Sequence, residues 1–328
     1  MQHAPPDFNF CWLHCSPELH LCSILAFPLP AIAKYMEKIR RGKVKFDAGR
    51  VVMAGGATGA NETLMLCLAS RGDVFLVPSP YYPGFNRDLW WRTGVQLLPI
   101  SCESSKNFKI TLEAVTETYE KAQQENIKVK GLILTNPCNP LGTILDRDTL
   151  INFLTFTDQH NIHLVCEEIY AATVFDAPQF VSIAEIIADD EICTNKDLLL
   201  CCQEFLIVNA KRSRERNEKF TSGLEEVGIK CLKSNAGVYC WMDLRPLLKE
   251  PTLDAEVSLW KLIINDAKLN ISTGSSFNCP EAGWFRVCFA NIDEQTVEIA
   301  LARIQMFVDA YNSVNENGFL KNTSAKEE

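Results

Sequence analysis

The segment LVCEEIYAATVF, residues 164–175, places two adjacent carboxylates at the end of an apolar run, and Tyr170 follows closely. One interpretation is a strand that ends at the protein surface. The alternative is that Glu167 or Glu168 faces a cationic ring, since a buried carboxylate requires a partner. A ring held in this way would make the segment part of a binding site.

Three other segments carry groups that suit a flat, phosphorylated ligand. GGATGANE (55–62) joins a glycine turn to a helix start, whose N–H groups favour phosphate, and Thr58 adds a hydroxyl. PSPYYPGF (78–85) fixes aromatic rings in a loop, where they either stack on a ligand or pack against the protein. NPCNPLG (136–142) holds asparagine side chains in a rigid loop as donors.

Arg286 lies inside the apolar run WFRVCFAN and needs an anion, which is either a substrate carboxylate or an internal salt-bridge partner. The other four features follow apolar runs, at the strand ends where open α/β sheets bind ligands. A carboxylate opposite a pyridine nitrogen keeps that nitrogen protonated, which makes pyridoxal phosphate an electron sink. In such a site Tyr170 would donate to the ring hydroxyl.

The elements that would position these residues alternate along the first half of the chain. Helical patterns at 111–124 and 147–159, the second with Asp146 as N-cap, separate short apolar runs. The runs predicted as strands are 50–55, 74–78, 95–100, 131–135 and 162–166. Continuous apolar strands separated by helices predict a mostly parallel sheet covered on both faces.

The second half predicts a smaller α+β domain. Helical patterns cover 206–226, 254–267 and 293–313, and strand-like runs cover 238–244 and 284–290. We therefore predict a leader over 1–26, a large domain over 27–200, a small domain over 206–313 and a disordered tail over 314–328. The polar composition of the last segment is typical of disorder.

The bulk composition excludes several classes of partner. A net charge of −9 over 328 residues argues against nucleic acid and anionic membranes, and no apolar stretch is long enough to span a bilayer. The 14 cysteines are scattered, and most, such as Cys67, Cys166 and Cys240, sit in apolar runs. This favours buried thiols and a cytoplasmic location. The cysteines and histidines of 1–26 match no metal-site spacing, so no metal is expected.

Taken together, GGATGANE, PYYPGF, EEIYAATVF, NAGVYCWMDLRPLL and GWFRVCFAN resemble the plant 1-aminocyclopropane-1-carboxylate synthases, over about 28–190 and 208–310. These are fold-type-I pyridoxal-phosphate enzymes related to class I and II aminotransferases. The family converts S-adenosylmethionine to the ethylene precursor and methylthioadenosine. It works as a homodimer with composite active sites. The resemblance thus implies a pyridoxal-phosphate-type large domain and a smaller C-terminal domain.

Site roles follow from this resemblance. Ala57 and Thr58 would lie at the phosphate, and Tyr82 would stack on the pyridine ring. Asn139 and Tyr170 would bond the ring hydroxyl. Glu167 takes the place of the family's aspartate at the ring nitrogen, one methylene longer. Finally, Arg286 would bind the substrate carboxylate.

Two further departures concern whole segments. The family's N-terminal region, with a substrate-contacting tyrosine, is replaced by the unrelated leader. The family's Schiff-base lysine, followed by a phosphate-binding arginine, belongs to a segment that should follow EEIYA. Here DLLLCCQEFLIVNAKR (197–212) joins the flanks directly, so at least one strand and one helix are expected to be missing. Lys196 is the only lysine between Tyr170 and Ala210, and it matches a position before that segment.

Several functions stay open at this point. The chain is expected to be a catalytically impaired synthase-like protein, since it lacks the nucleophile and base. The alternatives are an inactive homodimer or heterodimer partner of full-length synthases, a non-catalytic pyridoxal-phosphate or small-molecule binding module, and a truncated splice product. Sequencing the transcript across codons 190–212 would show whether the junction is real.

Overall fold

The computed structural model describes Asn9–Phe10 and residues 28–188, 199–202, 210–289, 292 and 294–324. The chain divides into two compact units. The first comprises Met1–Ala210 with Ser234–Gly237, and the second comprises Lys211–Lys233 with Val238–Glu328. The predicted leader and the predicted junction, including Lys196, lie largely outside the described residues. The predicted domain boundaries therefore stay predictions.

The first unit is built on a parallel sheet of five strands in the order β4-β3-β5-β6-β7. A short parallel pair, β1 with β2, forms a separate two-stranded sheet. The strands of the unit are β1 (Asn9–Phe10), β2 (Val51–Val52), β3 (Val74–Ser79), β4 (Gln96–Ser101), β5 (Val129–Thr135), β6 (His163–Glu167) and β7 (Leu199–Cys202). Strands β3 to β6 confirm the predicted runs. The mostly parallel sheet and the fold class are confirmed with them.

Helices connect these strands, as parallel crossovers require. They are α1 (Pro28–Ile39), α2 (Gly56–Leu68), α3 (Gly84–Thr93), α4 (Leu112–Gln124), α5 (Arg147–Gln159) and α6 (Ile183–Ile187). Helices α2 and α3 cover one face of the sheet, where Leu64 and Phe85 pack with Phe75 and Val165. The side chain of Asp146 accepts the Thr149 N–H at 2.8 Å, which confirms the predicted N-cap of α5.

One strand is shorter than predicted. The run at 50–55 forms a strand only at Val51–Val52. The chain must leave the extended conformation there because α2 begins at Gly56, which has a φ of +79°. That left-handed backbone angle suits glycine and ends the strand pattern early.

The second unit has an antiparallel sheet in the order β10-β11-β9-β8. Its strands are β8 (Lys230–Cys231), β9 (Tyr239–Asp243), β10 (Ser272–Thr273) and β11 (Trp284–Cys288). The helices are α7 (Ala210–Glu226), α8 (Leu253–Leu262), with a π-helical turn at Ile263–Ala267, and α9 (Glu294–Ser324). Helix α9 continues beyond residue 314, where the sequence predicted that order ends. No proline interrupts the helix before its end at Ser324.

Two properties of the described residues concern membrane-spanning helices and the state of the cysteines. None of their helices is long and apolar enough to cross a membrane. The eight described cysteines outside β7 are free thiols, and Cys166 and Cys240 are buried as predicted. Cys67 is exposed instead, although it sits in an apolar run. Helix α2 buries Leu64 and Met65, and its next residues point away from the core.

Candidate active site

The loops that follow β2, β3, β5 and β6 meet at one edge of the sheet and enclose a cavity of about 320 Å³. Parallel strands place their carboxyl ends on the same edge, which explains why distant segments converge there. The residues that line the cavity are Gly55, Gly56, Ala57, Thr58, Asn61, Tyr82, Phe85, Asp88, Thr135, Asn139, Glu167, Ile169 and Tyr170. The structure thus brings together Ala57, Thr58, Tyr82, Asn139, Glu167 and Tyr170, as the sequence predicted.

The two adjacent glutamates separate at the end of β6. Glu167 stands opposite Thr135 in the sheet, and the Thr135 hydroxyl lies 3.3 Å from a Glu167 carboxylate oxygen. The residue is 5% exposed and lines the cavity. Glu168 is 1% exposed, so neither carboxylate belongs to a strand end at the surface. That interpretation of the sequence is wrong.

Glu168 holds three elements together and does not line the cavity. Its Oε2 lies 2.5 Å from Nη2 of Arg40, at the end of α1, and both side chains are fully buried. The Ser182 hydroxyl and the Ile183 N–H, at the start of α6, donate to the same carboxylate at 2.7 and 2.8 Å. This buried cluster anchors α1 and α6 to the strand end.

Tyr82 forms an aromatic wall of the cavity. Its ring meets Phe85 edge-on, with 5.6 Å between ring centroids. A Cβ added to Gly84 would lie only 2.2 Å from the Tyr82 ring. A side chain at 84 would therefore displace the Tyr82 ring from this position.

The start of α2, with Ala57 and Thr58, lines another part of the cavity. Gly55 is the N-cap of this helix and offers no side-chain acceptor. The Thr58 hydroxyl donates to a carboxylate oxygen of Asp88 at 2.8 Å. The Asp88 side chain is 5% exposed, and it also pairs at 2.8 Å with Arg87, whose side chain is 68% exposed.

The asparagines of NPCNPLG have different positions. Asn139 is 4% exposed and lines the cavity, whereas Asn136 accepts the Leu145 N–H at 3.0 Å and braces the loop. Between them, burial raises the pKa of the Cys138 thiol to about 12. Burial likewise raises the pKa of Cys102 to about 11. Both thiols stay protonated near neutral pH, so neither is a nucleophile beside the cavity.

Seven lining residues were not among the predicted site residues: Gly55, Gly56, Asn61, Phe85, Asp88, Thr135 and Ile169. Helical spacing could have found Asn61, because it stands one turn after Ala57 and Thr58 on α2. Asp88 stands one turn after Phe85 on α3 by the same rule. The signal for Thr135 is its place at the end of an apolar run. Nothing local in the sequence pairs Asp88 with Thr58.

The remaining predicted residue, Arg286, belongs to β11 of the second unit. Its guanidinium carbon lies 4.6 Å from the ring centre of Phe277 and 5.3 Å from that of Tyr239. These distances are within the range of cation–π contacts. Aromatic faces thus stabilise the arginine that the sequence identified as costly inside an apolar strand.

The cavity fits one part of pyridoxal phosphate better than the other. A buried carboxylate, an asparagine, two tyrosines and a phenylalanine suit a protonated pyridine ring. At the helix start the charged lining residue is the acid Asp88. Among the residues that the structure describes, no lysine or arginine lines the cavity. The ring end therefore fits, whereas among the described lining residues the phosphate end has no cation and the aldehyde end has no amine.

Fold and sequence comparisons agree on the class. The model of the family "Aminotransferase class I and II" matches residues 29–205 and 194–304. An aminotransferase structure from Mycobacterium tuberculosis superposes with a TM-score of 0.69 over 90% of this chain and 85% of that chain. At 16% identity this likeness concerns the fold alone. The class is that of fold-type-I, pyridoxal-phosphate-dependent enzymes.

Curated relatives narrow the class further. The chain is 65% identical to 1-aminocyclopropane-1-carboxylate synthase 4 of Solanum lycopersicum, over 89% of this chain and 73% of the relative. It is 58% identical to a 1-aminocyclopropane-1-carboxylate synthase of Nicotiana tabacum, over 88% of this chain and 70% of the relative. The chain belongs to the 1-aminocyclopropane-1-carboxylate synthase family.

The same alignments include many positions of the relatives that have no counterpart in this chain. The alignment with the tomato relative runs over 347 positions, whereas 89% of 328 residues is about 292. About 55 positions of that relative therefore have no counterpart here. The family model likewise matches in two stretches, which meet at 194–205. This is where the sequence predicted a missing segment.

Proposed function

We propose that this protein is a family member that binds the pyridine ring of its cofactor without a covalent bond and does not turn over S-adenosylmethionine. The observation that carries the proposal is the composition of the cavity. It keeps the ring-facing groups, and none of its described lining residues is a lysine. The alignment with the tomato relative supports the proposal, because about 55 of its positions have no counterpart here, and we infer that the family's lysine is among them.

The loss of that lysine has two consequences for the chemistry. Without that lysine, no amine would bind the cofactor aldehyde covalently, and no base would be positioned for the substrate Cα proton. Removal of such a group commonly lowers kcat by several orders of magnitude. Glu167 should lower kcat further. Its carboxylate is one methylene farther from the backbone than that of aspartate, which shifts the charge in a site where small displacements matter.

Cofactor titration followed by borohydride reduction tests the proposal. We expect saturable absorbance changes with pyridoxal phosphate, no covalent pyridoxyl adduct by mass spectrometry, and no 1-aminocyclopropane-1-carboxylate from S-adenosylmethionine. The full-length tomato relative is the positive control. A stoichiometric adduct on one side chain, Lys196 included, or measurable product above a heat-inactivated control would overturn the proposal.

The second proposal is that the protein is a cytoplasmic binding partner of a second copy or of a full-length synthase. Exposed apolar side chains support it. Leu66 on α2 is 56% exposed, and Trp90 and Trp91 on α3 are 58% and 74% exposed. Apolar patches of this kind mark interaction sites. We propose that these exposed side chains of α2 and α3 contact a second copy or a full-length synthase.

Co-expression with a tagged full-length synthase tests this pairing. Heterodimers should be detected by size exclusion with light scattering and should be lost in a W90A/W91A variant. Leu253→Ala, which removes an exposed leucine from the second unit, is the matched control. Monomers alone, at concentrations where the synthase itself dimerises, would reject the pairing.

A further inference from the structure

We propose that the second unit holds a binding site for an alkyl carboxylate, a flexible amphipathic anion, between its sheet and helix α9. This inference is independent of the proposed cofactor binding, because the residues that line the site all belong to the second unit. The site is a cavity of about 280 Å³. A volume near the lower end of the usual range for ligand cavities suits a small, slender molecule.

The interior of this cavity is apolar. Phe220, Met242 and Val308 line it, and each of them is at most 6% exposed in the folded chain. Ile263, in the π-helical turn that follows α8, and Ile271 line it as well. Such walls offer water few hydrogen-bond partners, so the cavity favours the hydrocarbon part of a ligand.

Two exposed cations, Lys268 and Arg303, also line the cavity. The residues one turn away from Arg303 on α9, at 299, 300, 306 and 307, are all apolar, so no acid of this helix stands at the spacing that pairs with it. Lys268 follows the π-helical turn with a φ of +55°, a left-handed conformation that is uncommon outside glycine. Within the described part of the chain, neither cation forms an ion pair.

A second recess adjoins the first and extends its cationic mouth. The two recesses share four lining residues, Lys268 and Arg303 among them. Lys249 adds a third cation, and Asp266 is the one acid among the described lining residues of the pair. The charge at the mouth is therefore net positive and attracts an anion. An apolar interior behind a cationic mouth fits a ligand with a hydrocarbon tail and a carboxylate head.

Octanoate and octanol test the site, because they share a chain length and differ in charge. Their dissociation constants are measured by calorimetry on the purified full chain, and we expect saturable binding of octanoate. The double variant Lys268→Asn/Arg303→Gln should weaken octanoate by about tenfold, as two exposed ion pairs would together contribute. It should leave octanol unchanged, since the alcohol carries no charge. Asparagine tolerates the left-handed backbone at 268.

Two further variants separate the possible outcomes. Lys233→Gln, which removes an exposed cation outside both recesses, should change neither constant. Ala300→Phe, which adds a ring to the cavity wall, should abolish binding of both ligands. The charge variants alter exposed side chains, so they decide the question even where Ala300→Phe does not fold. Absence of saturable octanoate binding in the wild type would overturn the site. An equal effect of the double variant on octanoate and octanol would overturn the role of the cations and the class of ligand.

Discussion

Glu167 is the last residue of β6 and Glu168 is the first residue after it, and their side chains have different surroundings. One carboxylate lines the cavity, and the other lies among Arg40, Ser182 and the first turn of α6. A buried ion pair of this kind contributes little over an apolar substitute, but removal of one partner leaves a buried charge without compensation.

Glu168→Gln should therefore destabilise the protein by about 3 kcal/mol. The measurement is urea unfolding followed by tryptophan fluorescence. Glu185→Gln is the matched control, because Glu185 is also buried but pairs at 3.2 Å with Lys43, whose side chain is 54% exposed. That change should cost less than about 1 kcal/mol. Equal losses in the two variants would refute the anchoring role of Glu168.

Gly84→Ala should disturb the cavity through Tyr82, since the added methyl carbon would overlap the tyrosine ring. We expect the affinity for pyridoxal phosphate to fall by about tenfold, as expected when an aromatic stacking contact is lost. Tyr82→Ala should cause a similar loss, and the double variant should add little to it. Fully additive losses would show that Gly84 acts on some other group.

At the scale of elements, the cap of α5 offers a test that depends on pH. The side-chain hydrogen bond with Thr149 lowers the pKa of Asp146 below its usual value, with smaller contributions from the Thr149 N–H and Lys109. A lowered pKa in the folded state means that the ionised carboxylate stabilises the fold. This stabilisation is complete above the unfolded-state pKa of about 3.9 and is lost as the pH falls through the folded-state pKa.

Asp146→Ala should consequently cost about 1 kcal/mol of stability at pH 7, in the usual range for an N-cap. The difference from wild type should shrink once the pH falls below about 4, as the wild-type carboxylate becomes protonated. Chemical denaturation across a pH series gives this measurement. Asp148→Ala removes a first-turn acid that does not cap the helix and should cost less. A difference that stays constant down to the acid limit would contradict the assignment.

For the whole molecule, the proposed function depends on the positions of the tomato relative that have no counterpart here. Replacing 197–208 by the corresponding stretch of the tomato relative, with its about 55 additional positions, should restore a reducible covalent cofactor adduct. Borohydride trapping with mass spectrometry detects the adduct. The same chimera with its introduced lysine changed to alanine is the control. A folded chimera without an adduct would show that Glu167 or the different N-terminal region is sufficient to prevent attachment.

The order of strands and helices could be predicted because each apolar run and each cap is a local property of the sequence. The cofactor-type residues could be predicted because their motifs follow those runs, and parallel strands bring their ends together. The absence of a lysine between Tyr170 and Ala210, other than Lys196, is also a sequence property. These features determined the fold class, the family and the expected loss of covalent chemistry.

Only the tertiary structure decided which of the two adjacent glutamates lines the cavity and which side chain pairs with Thr58. Arg40 and Glu168 are 128 residues apart in the chain, and Thr58 and Asp88 are 30 apart. No local pattern encodes such pairs, because the partners meet only when the elements that carry them pack. The separation of Glu167 from Glu168 and the position of Asp88 beside Thr58 are therefore consequences of packing.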